Sequence, residues 1–159
     1  MDYFAPCWIA LQFIFSQPPS KTYFNKVSKS FADRMHVCSQ VGTAAAKRGH
    51  DPILFIAIAL NETGFTNTPS NKGAKGPLGV IPTYHCPKTG KCNYIHAAID
   101  AYDKAEKFTK SADLCKTLAV YNRGPEGLCK AGRPEYGYAQ VVIRRYEEIC
   151  EKSDSCTPC

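Results

Sequence analysis

The sequence predicts a mainly α domain with a small hairpin or irregular β region, and three observations lead there. Apolar residues recur at helical spacing over several long stretches, and helix-stopping glycines and prolines fall between those stretches. The segment richest in Gly, Pro, Ser and Asn is confined to residues 64–83. A chain of 159 residues with 44% hydrophobic content suffices for one compact body with a sizeable core and excludes a second large domain.

The elements follow in chain order. Tyr3 to Phe15 is apolar, and Phe4, Trp8, Leu11 and Phe15 recur at helical spacing, which predicts a docking face for the protein's own body or for a partner protein. Pro6 interrupts this segment, which is too short to span a bilayer, so no transmembrane span is expected. Its length suits a signal-peptide core, but Asp2 replaces the basic start and no small-x-small site follows closely. Ser16-Gln17-Pro18-Pro19-Ser20 reads as a hinge, so residues 1–26 form a docking segment and linker. The main domain covers residues 27–151, and residues 152–159 form a polar, cysteine-containing tail.

Within the main domain, Val27, Phe31, Met35, Cys38, Val41 and Ala45 trace one face of a helix that runs to Arg48 and stops at Gly49. Asp51 can cap the next helix and Pro52 suits its first turn, so Pro52 to about Glu62 is expected to be short, buried and rigid. Residues 64–83 read as loop or irregular strand, with any hairpin near Cys86 and Cys92. Helical patterns resume at Ile95 to Phe108, Ala112 to Tyr121 and Tyr136 to Lys152.

The formal net charge of +6 favours polyanions, a class that includes nucleic acid and the acidic peptides and polymers of a cell wall. No long Lys/Arg run and no complete zinc-finger spacing is present, so nucleic-acid binding is not expected. Nine cysteines in so short a chain argue for an oxidising setting. Cys86 and Cys92 bracket Pro87-Lys88-Thr89-Gly90-Lys91, a turn-rich segment that lets the two thiols meet, and they are the first pair expected to form a disulfide. The competing reading makes them zinc ligands with His85 and His96, and Cys156 and Cys159 add a C-x-x-C, but neither cluster has the usual two-pair spacing. No cofactor and no metal is expected.

Glu62 is the candidate catalytic residue. Apolar residues from Ile53 to Leu60 withhold water from its carboxylate, and Gly64 puts it in the last turn beside the negative end of the helix dipole. Both effects favour the protonated form, which a glycosidase's general acid requires. Asp51, at the other end of the same helix, lies more than about 15 Å away and cannot act with it. Asp100, Glu126 and Glu135 have no evident place in a site and read as surface charges.

Three segments taken together extend this reading: Asn61-Glu62-Thr63-Gly64-Phe65, then Gly73-Ala74-Lys75-Gly76-Pro77-Leu78-Gly79-Val80-Ile81-Pro82, then Leu118-Ala119-Val120-Tyr121-Asn122-Arg123-Gly124-Pro125. Their order and spacing resemble the signature of the soluble lytic transglycosylase catalytic domain, a lysozyme-like fold that cleaves peptidoglycan. The likeness extends through Arg48-Gly49-His50-Asp51-Pro52, Asn93-Tyr94-Ile95-His96-Ala97-Ala98 and Tyr138-Ala139-Gln140-Val141-Val142, and covers about Ser28 to Ile149. It departs from the family at Leu78-Gly79, where Met-Gln is usual, and at Pro77, where Leu is usual. The amide expected to hold the sugar is therefore absent.

The resemblance implies that Glu62 protonates the oxygen between N-acetylmuramic acid and N-acetylglucosamine, then acts as base on the muramic C6 hydroxyl, giving a 1,6-anhydro product. It implies substrate-binding roles for Tyr121, Asn122, Tyr138, Gly76 and Thr63, with Tyr138 orienting Glu62 and Gly73 and Gly76 letting backbone approach the glycan. Thr63 and Phe65 also read as structural support. The partners it implies are peptidoglycan glycan strands and, through the N-terminal segment, a protein assembly such as a phage tail or baseplate. A secretion apparatus and a periplasmic or secreted setting are the alternatives. A hydrolytic goose-type lysozyme and a non-catalytic wall-binding or structural virion component are the rival functions.

Overall fold

The computed structural model describes residues 2–15, 21–67, 72–110 and 113–156, with backbone alone over 21–29. The hinge at Ser16 to Ser20, the Val27 side chain, the expected helix start at Ala112 and Cys159 lie outside the described residues. Among these residues are seven helices: α1 Phe4–Gln12, α2 Lys21–Lys47, α3 Pro52–Glu62, α4 Pro82–His85, α5 Tyr94–Thr109, α6 Leu114–Arg123 and α7 Pro134–Ser153. The fold is mainly α, as the periodicity predicts.

α3 is the axis of the body. Asp51 accepts a hydrogen bond from the Ile53 amide at 2.9 Å, and Pro52 occupies the first turn, where no amide partner is lost. Ile53 through Ala59 are all buried, so the helix is apolar on every side and is covered by α1, α2 and α7. Burying each Ile or Phe here contributes roughly 1.5–3 kcal/mol, which makes α3 the best anchored element and fixes what stands at its end.

The neighbouring helices are capped by short polar side chains. Asn93 accepts from the His96 amide at 3.1 Å to start α5, and Asp113 accepts from the Lys116 amide at 3.2 Å to start α6. Arg48 at the end of α2 donates to Asp100 at 2.7 Å and Asp103 at 2.6 Å, and His50 meets Asp103 at 2.6 Å, which ties the α2–α3 corner to α5.

Four disulfides fasten the described residues. Cys7–Cys38 joins α1 to α2, Cys86–Cys92 closes the turn-rich segment, Cys115–Cys129 joins α6 to the loop after it, and Cys150–Cys156 secures the end of α7. The expected Cys86–Cys92 pair is present, and its sulfurs are not thiolate ligands for zinc.

Two local expectations are corrected. Pro6 does not break the N-terminal helix, because α1 begins at Phe4 and Pro6 falls in its first turn, where amides have no intrahelical partner. α1 packs on α2, α3 and α7 through Cys7, Ala10 and Leu11, while Phe4 and Trp8 stack 5.9 Å apart and remain 57% and 44% exposed. No hairpin forms at Cys86 and Cys92. The one antiparallel bridge among the described residues pairs Lys75 with Val80, and the chain next turns into α4. No helix among the described residues is long and apolar enough to cross a membrane.

Candidate functional site

Glu62 ends α3, and the elements around it converge on its two carboxyl oxygens. Tyr138 of α7 donates its hydroxyl to Oε1 at 2.8 Å. On the other side stands Gly79, whose φ of +68° needs glycine and on which a methyl group would lie 2.9 Å from Oε2. One oxygen is thereby held by Tyr138, and the other faces a glycine. Burial pushes the Glu62 carboxyl above its ordinary range, with the Tyr138 hydrogen bond opposing it. The same burial, followed by the charge of Glu62, pushes the Tyr138 hydroxyl up, so Tyr138 stays a donor.

The wall carrying Gly79 is pinned from two helices. Thr63, the cap of α3, donates its hydroxyl to the Pro77 carbonyl at 2.7 Å, and Tyr121 of α6 donates to the Leu78 carbonyl at 3.3 Å. Leu78 and Val80 are buried, so the short turn cannot lift without exposing apolar surface. Below the acid, Arg34 of α2 donates to the Gly64 carbonyl at 3.1 Å, satisfying a group left over where α3 stops.

Glu62, Gly79, His85, Tyr121 and Asn122 line one pocket of about 120 Å³, completed by Leu78, Val80, Ile81, Ala98 and Ala101. Glu62 is the only carboxylate among its lining residues. A volume of this size is below the roughly 300–1,000 Å³ of sites that enclose a small molecule. It is enough for a reacting group, and it adjoins a groove of about 700 Å³ that shares Ile81, His85, Ala101, Tyr121 and Asn122 with it. Partial burial first, then the charge of Lys104, holds His85 below its ordinary value, favouring a neutral imidazole at the junction.

The predicted site residues therefore divide. Glu62, Tyr121, Asn122 and Tyr138 come together. Thr63 and Gly76 support the turn that carries Gly79: the Thr63 hydroxyl is committed to Pro77, and a methyl on Gly76 would lie 2.5 Å from Tyr94 Cβ, so Gly76 seats that ring. Gly73 has open space around it, and Phe65 is buried at φ +65°. Cys86 and Cys92, bonded to each other, follow directly on α4.

Glu135, expected as a surface charge, has no solvent exposure and accepts from the Leu128 amide and from Arg133, both at 3.1 Å. Its own backbone amide, then those donors, hold its carboxyl below the ordinary range against the effect of burial. It anchors the loop before α7 and with it the helix that carries Tyr138. Arg34 and the contact role of Gly79 escaped sequence reasoning, which took up His85 only as an alternative zinc ligand. Of Arg34 and Gly79, only Gly79 had a visible signal, as a departure from the pattern that the sequence resembles.

Two groupings among the described residues could approach a metal ion. The Asp113, Cys115 and Cys129 grouping has both sulfurs in a disulfide, and in the His50, Asp103 and Glu106 grouping Asp103 is already engaged by Arg48 and His50. No protein-family model matches the chain, and no solved structure matches it.

Proposed function

We propose that this protein is a peptidoglycan lytic transglycosylase that cleaves the β-1,4 bond between N-acetylmuramic acid and N-acetylglucosamine. The observation that carries the reading is a partly buried carboxyl, pushed towards its protonated form, with one oxygen held by Tyr138 and no second carboxylate among the residues lining its pocket. Double-displacement and water-inverting glycosidases normally use two carboxylates, whereas a substrate-assisted route needs one.

In this mechanism the proton sits on Glu62 Oε2, because Oε1 accepts from Tyr138. It passes to the bridging oxygen as the C1–O bond breaks, and the substrate's acetamido oxygen bonds to C1. Ionised Glu62 then takes the proton of the muramic C6 hydroxyl. O6 bonds to C1, the acetamido oxygen departs, and no water is consumed. One group serves as acid and then base, which suits a carboxyl whose protonated form persists above the usual range.

The setting we propose is a virion-associated enzyme of a phage tail or baseplate that opens the cell wall locally. Four disulfides accord with work outside the reducing cytosol, and the exposed Phe4–Trp8 stack offers an apolar contact for an assembly.

The test is mass spectrometry of soluble fragments from purified peptidoglycan treated with wild type and with Glu62→Gln. Anhydro-muramyl ends from the wild type alone support the reading. Reducing ends make the enzyme a hydrolytic lysozyme, and no fragments from a folded wild type would refute a catalytic role.

A further inference from the structure

The chain makes a strained turn directly after the acid. Gly64 and Phe65 both stand in the left-handed region, at φ +60° and +65°, and Phe65 carries a side chain that is fully buried. Residues with a Cβ rarely adopt that conformation, and strain of this kind persists only where the surroundings hold it. The turn begins two residues after Glu62, where α3 stops, so whatever holds it also holds the last turn of the helix.

Arg34 of α2 reaches this turn from outside α3. Its Nη1 donates to the Gly64 carbonyl at 3.1 Å, its Nε donates to the Ser30 hydroxyl one turn earlier at 3.1 Å, and its Cζ lies 5.3 Å from the centre of the Phe15 ring. Ser30 and Phe15 thereby fix the direction in which the planar fork points. Ile14 closes the same corner, since a methyl on Gly64 would lie 3.0 Å from Ile14 Cδ1 and 3.2 Å from Arg34 Nη1. Phe15 in turn meets Phe31 at 5.8 Å, and Phe31 meets Trp8 of α1 at 5.1 Å. Arg34 is not among the residues lining the Glu62 pocket, so any effect it has on the acid passes through the backbone.

Resting on the proposed peptidoglycan-cleaving function, we infer that Arg34 is a positioning residue for the reaction: seated on Phe15 and Ser30, it holds the left-handed turn at Gly64 and so sets where the Glu62 carboxyl stands against Tyr138. The 2.8 Å bond from Tyr138 is the contact that a shift of the last turn of α3 would disturb first. By this route the N-terminal segment, which the sequence offers as a docking face, is also part of the support of the acid.

The experiment sets wild type against Arg34→Ala, Phe15→Ala, Tyr138→Phe and the double variant Arg34→Ala/Tyr138→Phe. Two readings are taken: kcat and KM for release of soluble fragments from purified peptidoglycan, and the titration midpoint of the Glu62 carboxyl by carbon-13 NMR, its signal identified by its loss in Glu62→Gln. In Arg34→Ala kcat is expected to fall roughly tenfold or more with KM unchanged, because a misplacement near 1 Å costs about a hundredfold and Arg34 does not line the pocket. The Glu62 midpoint rises, as it does in Tyr138→Phe, because a weakened Tyr138 bond leaves burial unopposed. In the double variant it matches Tyr138→Phe alone, since the bond can be lost only once. His85 and Tyr121, the other titratable side chains among the lining residues, are untouched in all of these variants. Phe15→Ala moves both readings in the same direction by a smaller amount.

Thermal melting separates this role from one in the fold alone. A lower Tm with kcat and the midpoint unchanged, a midpoint that falls, or midpoint shifts that add in the double variant overturn the inference. If Arg34→Ala does not fold, Phe15→Ala carries the same test, and unchanged readings there overturn it. If wild type does not cleave peptidoglycan while the midpoint moves as expected, the proposed reaction fails and the positioning of Glu62 by Arg34 stands.

Discussion

Replacing Gly79 by Ala perturbs the acid with a single methyl group. Two separable effects follow from the geometry. The backbone at φ +68° is left-handed, which costs a residue with a Cβ roughly 1–2 kcal/mol. For a chain of this size each kcal/mol moves Tm by about 2–4 °C, so strain alone lowers Tm by about 2–8 °C. The second effect is contact. The new methyl lies 2.9 Å from Glu62 Oε2, and restoring an ordinary 3.4 Å requires the carboxyl to retreat by about 0.5 Å, the difference between the two. That retreat disturbs the 2.8 Å bond from Tyr138 on the opposite oxygen. A misplacement near 1 Å costs about a hundredfold in rate, so kcat is expected to fall roughly 10- to 100-fold.

Gly49→Ala supplies the control. Gly49 has φ +78° with nothing within 4 Å and lies at the α2–α3 corner, the other end of α3 from Glu62. It carries the strain without the contact. Melting followed by circular dichroism, and release of soluble fragments from peptidoglycan, read the two effects separately. Both variants should lose comparable Tm, but only Gly79→Ala should lose kcat. Equal activity in the two variants would refute the assignment of Gly79 as the wall of the acid.

Three further outcomes are expected. Tyr138→Phe removes the hydrogen bond that lowers the Glu62 pKa and leaves burial unopposed, so the alkaline limb of the kcat/KM profile should move to higher pH as the rate drops; an unmoved limb would contradict the pairing. Because the folded Glu62 pKa is raised above the unfolded 4.5, both states are protonated below that value, and native stability is lost as pH climbs through the window up to the folded pKa. Glu62→Gln should therefore be more stable than wild type in denaturant at about pH 7, with the gap closing near pH 4; a gap independent of pH would count against a strained acid. Cys7→Ala/Cys38→Ala opens a link spanning 31 residues and should cost about 3.5 kcal/mol by loop entropy, seen as a loss of about 7–14 °C in Tm; a change below about 1 kcal/mol would mean that α1 is held by packing alone.

The sequence discloses α3 well because its signals are local: an Asp-Pro start, an unbroken apolar run and a glycine stop all lie within 14 residues, from Asp51 to Gly64. The long helices α2, α5 and α7 are legible for the same reason, through periodicity. Relations between distant residues are not. Gly79 and Glu62 are 17 positions apart, and the sequence shows only that an amide is missing, not that the space is needed by an acid. Arg34 reaches Gly64 across 30 positions with no pattern to announce it. Glu135 reads as a surface charge because burial of a carboxylate depends on donors that arrive from a separate loop, here the Leu128 amide. The hairpin expected at Cys86 and Cys92 fails for a related reason. Turn residues show that the chain reverses but not what closes it, and there it is closed by a covalent bond without a ladder.

The division of labour around Glu62 bears on how such a molecule could be changed. The acid stands on a helix walled in by three others, where almost any substitution damages the core before it alters the chemistry. The facing turn, from Gly76 to Val80, is held by only two side-chain hydrogen bonds among the described residues, those from Thr63 and Tyr121. Within that turn Gly76 and Gly79 have no room for a side chain, so tolerated variation beside the pocket is channelled into the exposed faces of α4, α5 and α6. A mutational library spread evenly over the chain would spend much of its diversity on unfolded protein, whereas one confined to these exposed faces would vary the surface beside the pocket with the acid left in place.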